Sequence, residues 1–211
     1  MSYIDLYKQL HKQNPSYGAS GYEYCDTVCL VIDYLRPKIV LDFGCGKNSL
    51  IDLLQSKYPD IIFYGYDPAI PDKAHLPVKK ADLIINTDVL EHIPEQELPM
   101  VLEQIRSLSD KVFFVLHHAL AYNYLPNGQN AHCTVKPIFW YYHLFENYWR
   151  NITVLPGKRP WLSIVLTFPI PTSLFHRYEA EILVSKNSKE AIKELVRMFY
   201  HKLRKLLKWG Y

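Results

Sequence analysis

Four short apolar runs alternate with helix-patterned stretches, and this constrains the fold more than any other feature of the sequence. The runs are Lys38-Ile-Val-Leu-Asp-Phe43, Ile61-Ile-Phe-Tyr-Gly-Tyr66, Asp82-Leu-Ile-Ile-Asn-Thr87 and Lys111-Val-Phe-Phe-Val-Leu116. Ser49 to Lys57 carries helical spacing through Leu50, Leu53 and Leu54, and a second helix is expected from Pro94, at its first turn, to about Leu108. Strands separated by helices pair in parallel and are buried on both faces. The expectation is an α/β open sheet, mostly parallel, with helices on both faces and an antiparallel late strand.

In such sheets the ligand sits beyond the carboxyl ends of the strands. That rim collects Asp42–Gly46, Asp67, Thr87–His92 and His117–His118. It is also where the chain places its polar and Gly-rich segments. The turn Gly44-Cys45-Gly46 lets backbone approach a ligand closely. Asp67 lies 21 residues beyond Gly46, after the second strand, where a carboxylate can accept both hydroxyls of a ribose. The dinucleotide fingerprint G-x-G-x-x-G is broken, because Lys47-Asn48-Ser49 follows Gly46.

Asp42, two residues before Gly44, together with Asn86-Thr-Asp-Val-Leu-Glu-His-Ile-Pro94, gives the rim a more specific character. Over residues 38–118 the chain resembles class I S-adenosylmethionine-dependent methyltransferases of the Rossmann-like fold. D-x-G-x-G is that family's first motif, and D-V-L-E-H-I is a frequent form of its fourth. The segment Leu125-Pro-Asn-Gly-Gln-Asn-Ala-His132, followed by Lys136-Pro137 and Phe139-Trp-Tyr-Tyr142, resembles the bacterial enzymes of this family that act on small molecules or saccharides. The resemblance implies that Gly44, Cys45 and Gly46 line the methionine part of the cofactor, with Asp42 near its amino group. It implies Asp67 at the ribose and Pro68 beside the adenine. It also places Thr87, Asp88 and Val89 near the methyl group. Two departures stand out. Asn48 replaces a frequent glycine, and only residues 73–81 separate the second strand region from the next, so the usual adenine-side acid is missing and His75 or Leu76 is left to substitute.

His132, in the loop after the last parallel strand, is the expected general base, with His118 and Asp88 as further catalytic candidates. Asp88, Glu91, His92 and His132 also resemble the set by which small-RNA terminal 2′-O-methyltransferases hold a divalent cation. A metal is an option here, less favoured than a metal-free base. Three functions are therefore open. The first is methyl transfer to a hydroxyl of a small molecule or saccharide. The second is metal-dependent methylation of an RNA 2′-hydroxyl. The third is a non-catalytic cofactor-binding or interaction protein.

The remaining segments complete a single domain over 1–211. Residues 1–36 read as an N-terminal arm and a helix from Tyr22 to Leu35 ending before Pro37. Residues 37–118 form the cofactor-binding core. Residues 119–170 form a substrate-side loop, an aromatic helix from Pro137 to Tyr148 and late strands at Asn151–Leu155 and Leu162–Phe168. Residues 189–209 pattern as a basic amphipathic helix, with five Lys/Arg and no acid from Arg197 to Lys208. That helix suits packing on the domain, or peripheral contact with the inner face of a membrane. Net charge of +3 is too small to indicate nucleic acid by itself. The 4 cysteines form no C-x-x-C pair and read as thiols, consistent with a cytoplasmic setting.

Overall fold

A computed structural model of the protein describes residues 2–180. The sheet has six strands: β1 (Ile39–Phe43), β2 (Ile62–Tyr66), β3 (Leu83–Thr87), β4 (Val112–His117), β5 (Thr153–Pro156) and β6 (Leu162–Leu166). Their spatial order is β2-β1-β3-β4-β6-β5. The first four pair in parallel, while β6 runs antiparallel to both β4 and β5. The chain thus has an antiparallel hairpin at one edge, made from both late segments rather than one.

Alternation along the strands divides the core in two. Val40, Leu83, Ile85, Phe113 and Val115 face one layer, packed by helices α2 (Cys25–Leu35), α3 (Ser49–Lys57) and α6 (Thr172–Tyr178). Leu41, Phe43, Ile84, Phe114 and Leu116 face the other, against α4 (Leu98–Leu108) and α5 (Ile138–Phe145). Adjacent residues such as Ile84 and Ile85 are both fully buried, because each face has its own helices.

Local chemistry explains several boundaries. α2 ends at Arg36, whose left-handed φ of 48° forms the cap just before Pro37. Its start is later than expected, since Ser20–Tyr24 winds as a 3-10 turn. α4 starts at Leu98 rather than Pro94. Pro94 precedes a separate 3-10 turn, and Pro99 occupies the first turn of the helix instead. Asn48 takes φ 64° at the start of α3, so it fills the left-handed position that a glycine would otherwise hold.

The N-terminal arm contains a helix, α1 (Tyr3–Gln13), begun by a reciprocal Ser2–Asp5 capping box. Leu6 and Leu10 bury against Leu125 and Ala131 of the long loop, forming a third, smaller cluster. The expected basic helix at 189–209, with its proposed membrane contact, lies outside the described residues. Among the described residues, no helix is long and apolar enough to cross a membrane.

Candidate functional site

A cavity of about 480 Å³ opens at the carboxyl ends of β1, β2 and β3. This is where strand order reverses, between β1 and β3. Its size falls within the roughly 300–1,000 Å³ typical of small-molecule sites. Asp42, Gly44, Cys45, Gly46, Asp67, Pro68, Thr87, Asp88 and Val89 all line it.

The glycine turn is shaped by its own neighbours. Gly44 has φ 93°, and a Cβ there would meet Val89 at 2.3 Å. Gly46 has φ 50°, and its Cβ would meet the Gly18 carbonyl oxygen at 2.2 Å. Backbone N–H groups of Gly44 and Cys45 donate to Tyr66 O at 2.7 and 3.1 Å. Gly46 N–H donates to Asp67 Oδ2 at 3.1 Å, and Ala69 N–H donates to Asp67 Oδ1 at 2.9 Å. Two backbone donors therefore fix the Asp67 carboxylate, and its remaining lone pairs are left for a ligand. The Asp42 carboxyl is fully enclosed, and its Oδ1 has no hydrogen-bond partner. Burial, assisted by the neighbouring Asp67 charge, pushes its pKa up to about 7. An orphaned acid beside a glycine turn, with a positioned aspartate on the next strand, fits a nucleoside that carries a cationic tail.

The sequence candidates for chemistry separate into two groups. Asp88 directly follows β3 with a left-handed φ of 54°, and its Oδ2 accepts from the Tyr24 hydroxyl at 2.7 Å. Burial raises its pKa to about 6. The chelating set within the described residues consists of Glu91, His92 and His132, which each bring a ligand atom within 4.8 Å of the others. Asp88 stands outside that set, held by Tyr24. His118 is fully occupied: its Nδ1 meets Lys136 O and its Nε2 meets Ser163 Oγ, both at 2.8 Å. It does not line the cavity.

Within the cluster, His92 reaches the cavity wall and His132 stands behind it, with ring centroids 4.6 Å apart. His132 Nδ1 donates to Ala119 O at 2.6 Å, and His92 Nδ1 donates to Ala131 O at 2.9 Å. These bonds assign the neutral tautomer with the proton on Nδ1, which leaves the lone pair on each Nε2. Burial holds the His92 pKa at about 3, helped by the nearby His132, and lowers that of His132. Glu91 is completely buried, and no side chain donates to its carboxyl oxygens, which only the backbone N–H groups of Glu91 and His117 approach. Burial, and then the Asp88 charge, raise its pKa well above the usual range.

Sequence reasoning missed what the arm contributes. Tyr3, Ile4, Tyr7, His11, Tyr17 and Gly18 form one wall of the cavity. The Tyr7 hydroxyl bonds to Ala131 O and lies 3.1 Å from His92 Nδ1. Tyrosine and histidine spacing in residues 1–21 carried no motif that could have announced this. Neither His75 nor Leu76 lines the cavity, and Leu76 instead packs, partly buried, against the core cluster on the α4 and α5 side of the sheet. Met100, Val101 and Gln104 of α4 line it.

The same architecture recurs in solved structures. The methyltransferase domain of bacterial CtHen1 superposes with a TM-score of 0.52 at 17% identity, covering 69% of this chain and 97% of that one. Mitomycin 7-O-methyltransferase MmcR gives 0.56 at 13% identity, over 76% of this chain and 59% of its own. Human N-acetylserotonin methyltransferase, solved in complex with SAM, gives 0.51 at 16% identity, over 68% and 50%. No curated sequence matches the chain. The family model described as a methyltransferase domain matches residues 21–153, more than half of the chain. The chain belongs to this methyltransferase-domain family.

Proposed function

We propose that the protein transfers a methyl group from S-adenosylmethionine to a hydroxyl of a small molecule or saccharide, with a divalent cation held by Glu91, His92 and His132 beside the acceptor. One observation carries the cation: a fully buried glutamate with no side-chain partner lies with two imidazoles, each tied through Nδ1 to a carbonyl. A neutral imidazole presenting Nε2 is a metal ligand, and a carbonyl on its other nitrogen is the usual orienting partner. A buried carboxyl with no partner is costly unless a cation compensates it.

When bound, S-adenosylmethionine supplies a methyl group on a sulfonium sulfur. The protein's task is to align donor with acceptor and to exclude water. Asp42 suits the ammonium of the amino-acid tail, and Asp67 suits the ribose diol. The tyrosines of the arm cover the side of the cavity facing α1. A hydroxyl acceptor must lose its proton, and burial lowers the basicity of both His92 and His132. A cation beside the hydroxyl would favour the alkoxide instead.

Calorimetric titration with S-adenosylhomocysteine tests the cofactor, with micromolar binding as the expected result. Metal-stripped protein titrated with Co²⁺ should show one tight site that Glu91→Gln or His132→Ala removes. Radiolabelled methyl transfer to a panel of sugars and RNA oligonucleotides then separates saccharide from RNA acceptors. Transfer that persists at full rate in chelator would discard the cation and return the base role to His132. Cofactor binding with no transfer to any acceptor would favour a binding protein.

A further inference from the structure

We propose that His11 binds the carboxylate of the cofactor's amino-acid tail, an assignment that rests on S-adenosylmethionine as cofactor. The tail is zwitterionic, so its carboxylate needs a positive or donating partner at the same corner where Asp42 meets the ammonium. The glycine turn has no donor left. Its N–H groups at Gly44 and Cys45 are taken by Tyr66 O, that of Gly46 by Asp67, and that of Lys47 by Gly18 O at 2.8 Å. Asn48 N–H closes on Cys45 O at 2.9 Å. This differs from glycine loops whose free amides cradle an anion.

Cationic side chains are equally scarce. Among the described residues, no lysine or arginine lines the cavity. Lys73 is close, but its ammonium donates to Gly46 O at 2.8 Å. Two histidines line the cavity, and the Nδ1 of His92 is tied to Ala131 O. His11 remains. Its Nδ1 is buried and has no hydrogen-bond partner. Its ring lies against Gly18, where an added Cβ would come within 2.7 Å of His11 Cε1 and 3.4 Å of Gly46 Cα. The imidazole therefore sits over the turn, on the Gly18 and Gly46 side of the cavity. Burial lowers its pKa most, Asp67, Lys47 and Lys73 act on it electrostatically, and Tyr17 packs edge-on at 4.9 Å with its backbone carbonyl near the ring. Nδ1 is closed off as the ring stands, so a carboxylate would be met by an imidazole N–H once the ring turns about its Cβ–Cγ bond, and the added negative charge would favour the imidazolium.

The test compares S-adenosylhomocysteine with 5′-methylthioadenosine, which keeps the nucleoside and thioether but lacks the amino-acid tail. Both are titrated calorimetrically into wild type, His11→Gln and His11→Ala. The expected result is about a tenfold loss of S-adenosylhomocysteine affinity in both variants, the scale of one charge-assisted hydrogen bond. Binding of 5′-methylthioadenosine should stay within about twofold of wild type, which also shows that the variants are folded. Equal losses for both compounds would make His11 a structural residue and overturn the proposal, as would unchanged S-adenosylhomocysteine binding. If wild type bound neither compound, the cofactor reading would itself fail, and this assignment with it.

Discussion

At the level of single residues, the site is defined by buried acids whose charge the protein compensates only in part. Asp42, Asp88 and Glu91 are all raised in pKa chiefly by burial, and only Asp88 has a hydroxyl donating to it. For Asp42 the consequence can be given a sign. Its folded pKa of about 7 lies above the value of 3.8 expected of a free aspartate. The protonated form is thus favoured by folding, and that stability is complete below about pH 4 and lost as pH rises through about 7. Asn cannot ionise. Asp42→Asn should therefore melt higher than wild type in the absence of ligand, with a gap widening from about pH 5 to about pH 8 and reaching at most about 4 kcal/mol. The same variant should bind S-adenosylhomocysteine more weakly. Melting curves for both proteins across that range check the first statement. A gap that stayed flat from about pH 5 to about pH 8 would mean that Asp42 is already ionised in the folded protein.

Among the elements, α1 differs from the rest in how it is held. Eleven residues make a marginal helix in isolation, so α1 depends on docking. Its contacts form a small cluster around Leu6, Leu10, Leu125 and Ala131, separate from the two cores that flank the sheet. Leu10→Ala removes a buried side chain from that cluster, a change that costs roughly 2–5 kcal/mol in a core. Because the cluster stands apart, the loss should fall on local docking rather than on global unfolding. Hydrogen exchange should speed up in residues 3–13 and 119–131, with β1, β3 and β4 still protected, and S-adenosylhomocysteine affinity should drop. Uniformly faster exchange would instead make α1 part of the global folding unit. The strands and the central helices were largely legible beforehand, because their apolar periodicity is local. The start of α4 was not, because Pro94 and Pro99 both satisfy the rule for a first-turn proline, and only packing chooses between them.

For the whole molecule, the cavity is built from segments far apart in the chain, and a ligand there must join them. Arm, glycine turn, β2 end and β3 end all line it. Occupancy should therefore stabilise the protein as a unit. At a concentration one hundred times its Kd, S-adenosylhomocysteine should contribute about 2.7 kcal/mol, which for a chain of this size corresponds to a rise of roughly 5–10 °C in melting temperature. Differential scanning fluorimetry measures this directly, and no shift despite calorimetric binding would mean that the unfolded chain binds the ligand equally well. The sequence by itself determined the mostly parallel sheet, the glycine turn and the line of residues from Asp42 to Val89, because each arises within a strand–turn–helix unit. Only the tertiary structure decided which side chains meet. It brought Tyr7 to His92 across 85 positions and Tyr24 to Asp88 across 64. It also turned His118 towards Ser163 and gathered Glu91, His92 and His132 into one cluster. Those choices rest on where an arm and a loop dock on the rim, and on which hydrogen-bond partners are available there once water is removed. No periodicity along the chain encodes that.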